Sequence, residues 1–375
     1  MKRLQEETLL KDLEEKMVFL SGPRQVGKTT LAKSLGGRFP SHACYNYDEE
    51  ADRRIMVKKT WDRKVDLIVL DEIHKLKKWK THLKGAYDTE GIPPRILVTG
   101  SARLDVFRRG GDSLAGRYFG HRLYPFSVRE LRGEASPREI VENLIRYGGF
   151  PEPFLSQSEM KTARWRKQHI ERIVRIDVQD LEPVRDIQTL ILLIDMLKER
   201  VGSPISYNSL SRDLQISPHT VKRWIQILES MYVVFSVTPY SKNISRSLLK
   251  EPKIYFYDTS SVTGDEGIKF ENLVANCLRK HLHFLEDAEG KTTQLHYLRD
   301  KEKREADFLT AIDKKIEHLV EVKFSNANLS RPLLYFHRRL SAKSAIQLVM
   351  NTRQTQTVEG ISILPAGEWL DTLAA

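Results

Sequence analysis

Three short apolar runs in the first hundred residues predict buried strands of an α/β sheet. They lie at residues 17–21, 65–72 and 95–101, and the second and third end in polar residues. A helical pattern of apolar residues follows the first run and ends at Gly36. Unbroken apolar runs with helices between them are typical of a parallel sheet that is covered on both faces. The first third of the chain is therefore predicted to be an α/β domain.

Beyond residue 133 the pattern predicts helices first and strands later. Residues 134–185 carry charges at helical spacing and are interpreted as a helical lid or connector. Residues 186–260 predict helices followed by a hairpin, with Ser217 capping the last helix and Pro218 at its first position, which is the order of a winged helix-turn-helix. Residues 261–375 predict the order α-β-β-β-α-β. The chain is therefore divided into four predicted domains: 1–133, 134–185, 186–260 and 261–375.

The composition is that of a folded protein without a membrane span. The 375 residues include 40% hydrophobic and 30% charged side chains, which excludes a disordered chain and predicts two or three domains. The chain has no run of about 18 apolar residues, and its first 16 residues are too acidic for a secretory signal. Cys44 and Cys277 do not make a disulfide framework, so a reducing, cytoplasmic location is expected.

The net charge of +11 is concentrated in the first third of the chain. Residues 1–133 carry 27 basic and 18 acidic side chains, whereas residues 186–375 are nearly neutral. The densest basic stretch runs from His74 to Lys84, and it is either a solvated helix face or a surface for an anion such as double-stranded DNA. The candidate DNA contacts in this stretch are Lys75, Lys77, Lys78, Lys80 and Lys84.

A phosphate-binding loop is predicted directly after the first strand. The residues from Gly22 to Thr29 fit the pattern G-x-x-x-x-G-K-[ST], and they lie between a strand and a helix, as this motif requires. Lys28 is expected to contact the β- and γ-phosphates of ATP, and the Thr29 hydroxyl to bind Mg²⁺. The predicted ATP-binding residues are Gly22, Pro23, Arg24, Gln25, Val26, Gly27, Lys28, Thr29 and Thr30.

Polar residues near the next strands extend this predicted site. Asp71 and Glu72 end the second strand, where Asp71 is expected to hold Mg²⁺ and Glu72 to polarise the attacking water. Ser101 ends the third strand and either contacts the γ-phosphate or the water, or caps the strand. Arg117 precedes a further strand and is either a surface arginine or a finger that stabilises the transition state at a neighbouring subunit's nucleotide.

Six strings between residues 17 and 155 resemble one family. They are GPRQVGKTTL, LDEIHK, TGSARL, SLAGR, YPFS and GGFPE. With them the chain resembles the bacterial and archaeal AAA+-type ATPases that carry a C-terminal domain of unknown function, DUF4143. The resemblance implies that Ser101 is the sensor and that Arg117 is the finger of a homo-oligomer. It also implies that Gly149 to Pro151 lies near the nucleotide base, although a Gly-Pro turn explains this element equally well.

The last domain resembles the PD-(D/E)xK restriction-endonuclease-like fold, and the family resemblance places it with the winged helix in DUF4143. Glu271 lies in the first turn of the helix, Asp307 on the second strand, and Glu321 and Lys323 on one face of the third strand. Asp307 and Glu321 are the predicted ligands of a second metal ion, which would activate water that Lys323 orients. The alternative is an exposed ion pair on a fold that serves as a binding platform.

Three functions stay open at this point. The first is an Mg²⁺-dependent ATPase that acts on DNA or as a switch between its ATP and ADP states. In that function the last helix of the helix-turn-helix places His219, Lys222 and Arg223 against DNA. The second is a regulatory module whose C-terminal domains bind a partner protein, and the third is an ATP-coupled, metal-dependent endonuclease.

Overall fold

The chain folds into two compact units. Unit 1 comprises Met1–Tyr124 with Asp287–Glu289, and unit 2 comprises Pro125–Glu286 with Gly290–Ala375. Each unit has its own sheet and its own apolar core. A computed structural model describes residues 2–92, 94–100, 114–178, 186–241, 250–325 and 327–374.

Unit 1 is built on a sheet of five strands in its described part. The strands are β1 (Met17–Ser21), β2 (His42–Asn46), β3 (Leu67–Asp71), β4 (Arg95–Thr99) and β5 (Tyr118–Arg122). All neighbours run parallel, in the spatial order β2-β3-β4-β1-β5. The helices are α1 (Glu6–Leu13), α2 (Lys28–Gly36), α3 (Glu50–Lys58) and α4 (Trp79–Glu90), with a 3₁₀ turn at Ile73–Lys75. The predicted parallel α/β sheet is therefore confirmed.

Apolar residues of the central strands form the core of unit 1. Every residue of β1 and β3 is buried, which explains their unbroken apolar sequences. Phe19 of β1 and Leu70 of β3 pack in one cluster with Trp79 of α4. Because β4 lies between β1 and β3, its register pairs Thr99 with Asp71. The polar ends of β3 and β4 therefore meet beside the phosphate loop that follows β1.

Unit 2 begins with helices, several of which start where the sequence predicts. The helices are α5 (Pro137–Tyr147), α6 (Pro151–Ser156), α7 (Glu159–Arg172), α8 (Ile187–Lys198), α9 (Tyr207–Leu214) and α10 (Pro218–Ser230). Ser136 and Glu139 form a reciprocal capping box at α5. Ser217 caps α10, with Pro218 as its first residue, as the sequence predicts. Shorter helical turns lie at Arg129–Leu131, Ile173–Val178 and Thr259–Ser261.

The sheet of unit 2 has eight strands in the described residues. The strands are β6 (Val234–Pro239), β7 (Lys253–Phe256), β8 (Thr293–Arg299), β9 (Glu305–Ile312), β10 (Lys315–Lys323), β11 (Ser344–Val349), β12 (Gln356–Val358) and β13 (Ile361–Pro365). Their spatial order is β12-β13-β11-β10-β9-β8-β6-β7. The remaining helices are α11 (Glu266–Glu289), α12 (Arg331–His337) and α13 (Ala366–Leu370).

The hairpin of β6 and β7 shares this sheet with the C-terminal strands. β6 pairs antiparallel with β7 and parallel with β8, so Thr238 lies beside His296. The sheet therefore contains strands from both sides of residue 260, at which the sequence predicts a domain boundary. The order α11-β8-β9-β10-α12-β11 is the one predicted from the sequence. Glu271 lies in the second turn of α11 and not in the first, because the helix begins at Glu266.

Two predictions from composition concern the whole chain. Across the described residues, every helix is too short or too polar for a membrane crossing. The longest described helix, α11, has 24 residues but carries charged side chains along its length. Cys44 and Cys277 are both free thiols, as the low cysteine count predicts.

Candidate functional site

The phosphate loop joins β1 to α2 with two glycines in conformations that other residues rarely adopt. Gly22 has φ +144°, and a Cβ atom there would lie 2.2 Å from the carbonyl oxygen of Leu123. Gly27 has φ +99° at the start of α2, and glycine offers no side chain to cap this helix. The N-terminus of α2 is thereby able to bind an anion such as a phosphate.

Lys28 and Arg3 are held against carbonyl oxygens of this loop. Lys28 is buried, and its Nζ donates to the carbonyl oxygens of Gly22 at 3.0 Å and of Pro23 at 2.6 Å. Arg3, which precedes α1, donates to the carbonyl oxygen of Val26 at 2.6 Å. No sequence motif indicates the contact of Arg3, because a single basic residue near the start of a chain carries no pattern.

Asp71, at the end of β3, accepts hydrogen bonds from two threonine hydroxyls. The distance from Thr29 Oγ1 to Asp71 Oδ2 is 2.9 Å, and that from Thr99 Oγ1 to Asp71 Oδ1 is 2.6 Å. The two residues predicted to bind Mg²⁺, Thr29 and Asp71, are therefore in direct contact. The sequence pattern does not single out Thr99 as a site residue. Among the polar residues that end the third run, Ser101 is the predicted one, and it lies outside the described residues.

Glu72 follows Asp71 in a left-handed backbone conformation, with φ +57°. Its N–H donates to the carbonyl oxygen of Thr99 at 2.9 Å, and its carboxylate lies 3.4 Å from Lys75 Nζ. Lys75 also pairs with Asp48 at 2.5 Å. Left-handed backbone is uncommon for glutamate, and such strain is concentrated at functional sites. Lys75 is engaged by two acidic side chains, which makes it the weaker candidate for a DNA contact.

Arg117 precedes β5 and forms an ion pair with α4. Its Nε and Nη2 atoms donate to the two carboxylate oxygens of Asp88 at 2.6 and 3.1 Å, and this hydrogen bonding lowers the pKa of Asp88 below its ordinary value. The two side chains are 29% and 41% exposed, so the pair lies at the surface of unit 1. The finger role predicted for Arg117 therefore requires this pair to open.

The other candidate DNA contacts of unit 1 differ in exposure. Lys77 and Lys78 are exposed. Lys80 and Lys84 are half-buried, and Lys80 Nζ lies 5.9 Å from a ring centre of Trp79. Of these four lysines, Lys77 and Lys78 are therefore the more accessible to solvent.

In unit 2, three candidate DNA contacts lie on one side of α10. His219, Lys222 and Arg223 are exposed, whereas Trp224 and Leu228 are buried on the other side. The predicted recognition helix thus presents its basic residues to solvent.

A second group of charged residues lies in unit 2, on α11 and on strands β9 and β10. Its four carboxylates, called the carboxylate cluster below, belong to Glu271, Glu305, Asp307 and Glu321. Asp307 Oδ2 accepts a hydrogen bond from the N–H of Val322 at 2.8 Å. Glu321 Oε1 accepts one from Ser330 Oγ at 3.0 Å and lies 2.7 Å from Lys323 Nζ. The predicted nuclease-like residues are therefore in one region of unit 2.

A buried lysine that the sequence analysis missed lies among these carboxylates. Lys253 is on β7, and its Nζ lies 2.7 Å from Glu305 Oε1. The same Nζ lies 3.4 Å from Glu271 Oε1 and 4.0 Å from Asp307 Oδ1. Tyr255, on the same strand, donates its hydroxyl to Glu271 Oε1 at 2.7 Å. The sequence gives no signal for Lys253, because the pattern of residues 186–260 predicts its hairpin as part of a separate domain.

Burial raises the pKa values of Glu271, Asp307 and Glu321. Desolvation first, and the charge of Asp307 second, raise the pKa of Glu271 and that of Glu321 to about 7. Desolvation also raises the pKa of Asp307. Burial acts to lower the pKa of Lys253, but the negative charges of its neighbours outweigh burial, so this pKa lies above its ordinary value. Lys253 therefore keeps its proton at neutral pH.

The two predicted metal sites differ in how well they suit a metal ion. In the part of the chain that the structure describes, no three acidic, histidine or cysteine side chains are arranged to hold a metal ion. Thr29 and Asp71 nevertheless suit Mg²⁺ in a nucleotide site, because Mg²⁺ keeps several waters and takes further oxygens from phosphates. Asp307 and Glu321 lie in a cluster that already contains the ammonium of Lys253.

Packing within unit 2 accounts for the glycines of the GGFPE string. A Cβ atom at Gly148 would lie 2.3 Å from Asp258 Oδ1, and one at Gly149 would lie 2.9 Å from the carbonyl oxygen of Phe126. The N–H of Phe126 donates to the carbonyl oxygen of Gly149 at 2.7 Å. These contacts explain the two glycines without a nucleotide and favour the interpretation as a turn.

Three family models match separate segments of the chain. Residues 14–132 match the family described as an AAA domain. Residues 138–264 match a domain of unknown function, DUF8612, and residues 266–369 match a domain of unknown function, DUF4143. The chain therefore contains an AAA-type P-loop domain and a DUF4143 domain, which confirms the resemblance at this level. The helices and hairpin of residues 186–260 lie in the DUF8612 segment and not in DUF4143.

Two proteins that are similar to this chain are described as uncharacterized. One from Mycobacterium tuberculosis is 31% identical over 247 residues, which cover 65% of this chain and 54% of the relative. One from Methanocaldococcus jannaschii is 25% identical over 295 residues, which cover 65% of this chain and 61% of the relative. The chain thus spans between half and two thirds of the length of these relatives. A Walker-type ATPase of Pyrococcus abyssi aligns with a TM-score of 0.40 and 16% identity, over 72% of this chain and 94% of that chain.

Proposed function

We propose that unit 1 binds ATP together with Mg²⁺ and hydrolyses it. The observation that carries this proposal is the direct contact between the Thr29 hydroxyl and the Asp71 carboxylate at the phosphate loop. A hydroxyl and a carboxylate oxygen suit Mg²⁺, which prefers oxygen ligands. The N-terminus of α2 would hold the phosphates, because its first N–H groups carry partial positive charge.

Each side chain of the site has its own part in this proposal. Lys28 would leave the loop carbonyl oxygens and donate to the β- and γ-phosphates. Bound Mg²⁺ would neutralise charge on the phosphate oxygens. Thr99 holds one oxygen of Asp71 by its hydrogen bond, which fixes the orientation of the carboxylate. Glu72 would accept a hydrogen bond from the attacking water and so orient it.

Lys28→Ala tests the proposal directly. We expect ATP turnover to fall by about 10²–10³-fold, because a charged donor to the phosphate oxygens is lost. Lys33→Ala changes an exposed lysine of the same helix and should keep native turnover. Both are measured as phosphate release in the presence of Mg²⁺. Native turnover in Lys28→Ala would show that the phosphate loop has another role.

We also propose that the chain self-associates, so that Arg117 of one subunit reaches the nucleotide of another. The exposure of the Arg117–Asp88 pair supports this, because exposed ion pairs are weak and open readily. Mixing Arg117→Ala subunits with Lys28→Ala subunits should restore part of the activity, since each supplies what the other lacks. No restoration, together with equal effects of Arg117→Ala and Asp88→Asn on turnover, would mean that Arg117 is a surface residue.

The surface at Lys77 and Lys78 is the proposed contact for double-stranded DNA. We expect DNA to stimulate ATP turnover, with a stimulation that fades steeply as salt is raised, because phosphate contacts release counterions. The double variant Lys77→Ala/Lys78→Ala should make the salt dependence shallower by about two phosphate contacts. The matched variant Lys222→Ala/Arg223→Ala tests α10 in the same way. Turnover that DNA does not change would favour a switch that acts on proteins.

For unit 2 we propose a binding role under the control of the nucleotide state. The presence of Lys253 in the carboxylate cluster supports this over DNA cleavage. The endonuclease alternative is favoured by the proximity of Asp307, Glu321 and Lys323. Incubation with supercoiled DNA and Mg²⁺ or Mn²⁺ separates the two: cleavage that Asp307→Ala and Lys323→Ala abolish would establish the nuclease, and intact DNA at full ATPase activity would support the binding role.

A further inference from the structure

Lys253 is an unusual residue because its ammonium group is taken almost completely out of water. Its side chain is 1% exposed, and all four residues of β7 are buried. A buried charge is costly unless opposite charges and hydrogen bonds surround it. The groups around this side chain must therefore compensate the free-energy cost of burying its charge.

Three carboxylates from two other elements face the ammonium. Glu305 and Asp307 come from β9, and Glu271 comes from α11, with oxygens between 2.7 and 4.0 Å from Lys253 Nζ. The ring of Tyr297, on β8, lies 5.4 Å from the same nitrogen. This arrangement is that of a cation inside a shell of oxygen donors.

Lys323, which also lies beside a carboxylate of the cluster, does not share the buried environment of Lys253. Lys323 is 38% exposed and pairs with Glu321 at 2.7 Å, so its charge remains in contact with solvent. Glu321 Oε2, by contrast, is buried and accepts no hydrogen bond from the described residues. One carboxylate oxygen of the cluster is thus left without a donor, although a lysine already lies inside the cluster.

We propose that Lys253 is the resident cation of the carboxylate cluster, and that its ammonium keeps these carboxylates from gathering around a divalent metal ion. Its ammonium and a metal ion would repel each other across a few ångströms of protein interior, so the cluster excludes the metal. The ion pairs of the cluster then hold β7 against β9 and α11. The cluster performs no metal-dependent hydrolysis. The inference does not depend on ATP hydrolysis by unit 1.

Mn²⁺ binding to the full chain without nucleotide tests this inference. The Asp71→Asn variant serves as the background, so that the site in unit 1 contributes no binding. Free Mn²⁺ is counted by electron paramagnetic resonance during titration. With Lys253 intact we expect no saturable Mn²⁺ site. With Lys253→Met we expect one equivalent of Mn²⁺, bound by the freed carboxylates, and its loss again when Asp307→Asn is added.

Lys323→Met is the matched control, since it removes the exposed lysine and leaves Lys253 in place. It should remain without a saturable Mn²⁺ site. A saturable site in the chain with intact Lys253 that Asp307→Asn abolishes would overturn the inference, and so would a folded Lys253→Met chain that binds no Mn²⁺. If Lys253→Met does not fold, the titration of the intact cluster with and without Asp307→Asn still decides the question. ATP turnover, measured separately, reports on the proposed function of unit 1 alone.

Discussion

The two carboxylate sites of this chain differ in what lies against the negative charge. At the phosphate loop, Asp71 accepts hydrogen bonds from two neutral hydroxyls, those of Thr29 and Thr99. In unit 2, three carboxylates surround the ammonium of Lys253. Hydroxyl donors orient a carboxylate without neutralising it, whereas an ammonium does both. The first arrangement suits a carboxylate that binds a metal ion with its substrate, and the second suits a carboxylate that holds strands together.

The largest expected difference between the two sites is in catalysis. Asp71→Asn should lower ATP turnover by about 10²–10³-fold, because a metal ion contributes several kcal/mol to a phosphoryl-transfer transition state. Asp307→Asn should leave turnover within about twofold of native. Both are measured as phosphate release over a range of Mg²⁺ concentrations. A loss of similar size in the two variants would mean that the cluster of unit 2 takes part in ATP hydrolysis.

A smaller effect is expected from the hydroxyl that orients Asp71. Thr99→Val keeps the shape of the side chain but removes its hydrogen bond to the carboxylate, and hydrogen bonds to charged groups contribute about 1.5–3 kcal/mol. We expect turnover to fall by about tenfold or more, with a higher Mg²⁺ concentration needed for half-maximal activity. Thr99→Ser retains the hydroxyl and should stay close to native. If Val and Ser behave alike, the hydrogen bond at 2.6 Å does not position Asp71.

The third prediction concerns stability and tests the electrostatics of unit 2. The pKa of Glu321 is raised from 4.5 to about 7, so the folded chain retains a proton that the unfolded chain has released. Stability from this group is therefore present below about pH 4.5 and is lost as the pH rises to about 7. At pH 8 the loss amounts to about 3 kcal/mol, by the equivalence between pKa shift and free energy.

Glu321→Gln should remove this dependence. Urea unfolding at pH 5 and pH 8 measures it as the change in the free-energy difference between the native chain and the variant. We expect the free energy of unfolding of the variant to increase relative to that of the native chain as the pH rises. Glu302→Gln, at a side chain that is 67% exposed, should show the same pH dependence of the free energy of unfolding as the native chain. An equal pH dependence for Glu321→Gln and native chains would show that the Glu321 carboxylate is not desolvated as its burial indicates.

Local patterns in the sequence predict the first site better than the second. The phosphate loop and the acidic end of β3 are recognisable because their residues are neighbours in the chain and because buried parallel strands have unbroken apolar sequences. The same local pattern could also predict Thr99, since this residue ends β4 beside Asp71. Lys253 is not, because its contacts join a hairpin to residues far along the chain. Among the described strands, the pairing of β6 with β8 brings that hairpin into the same sheet.

That pairing has a consequence for how the segments can be separated. The boundary between the two matched segments, at residue 265, falls inside one sheet and inside one set of charge contacts. A fragment that begins there would expose the edge of β8 to other molecules and would leave Glu271, Glu305 and Asp307 without Lys253. Exposed strand edges promote aggregation. The hairpin of β6 and β7 therefore covers the edge of β8 in the native sheet, and we expect a fragment that begins at residue 265 to be less soluble than the full chain.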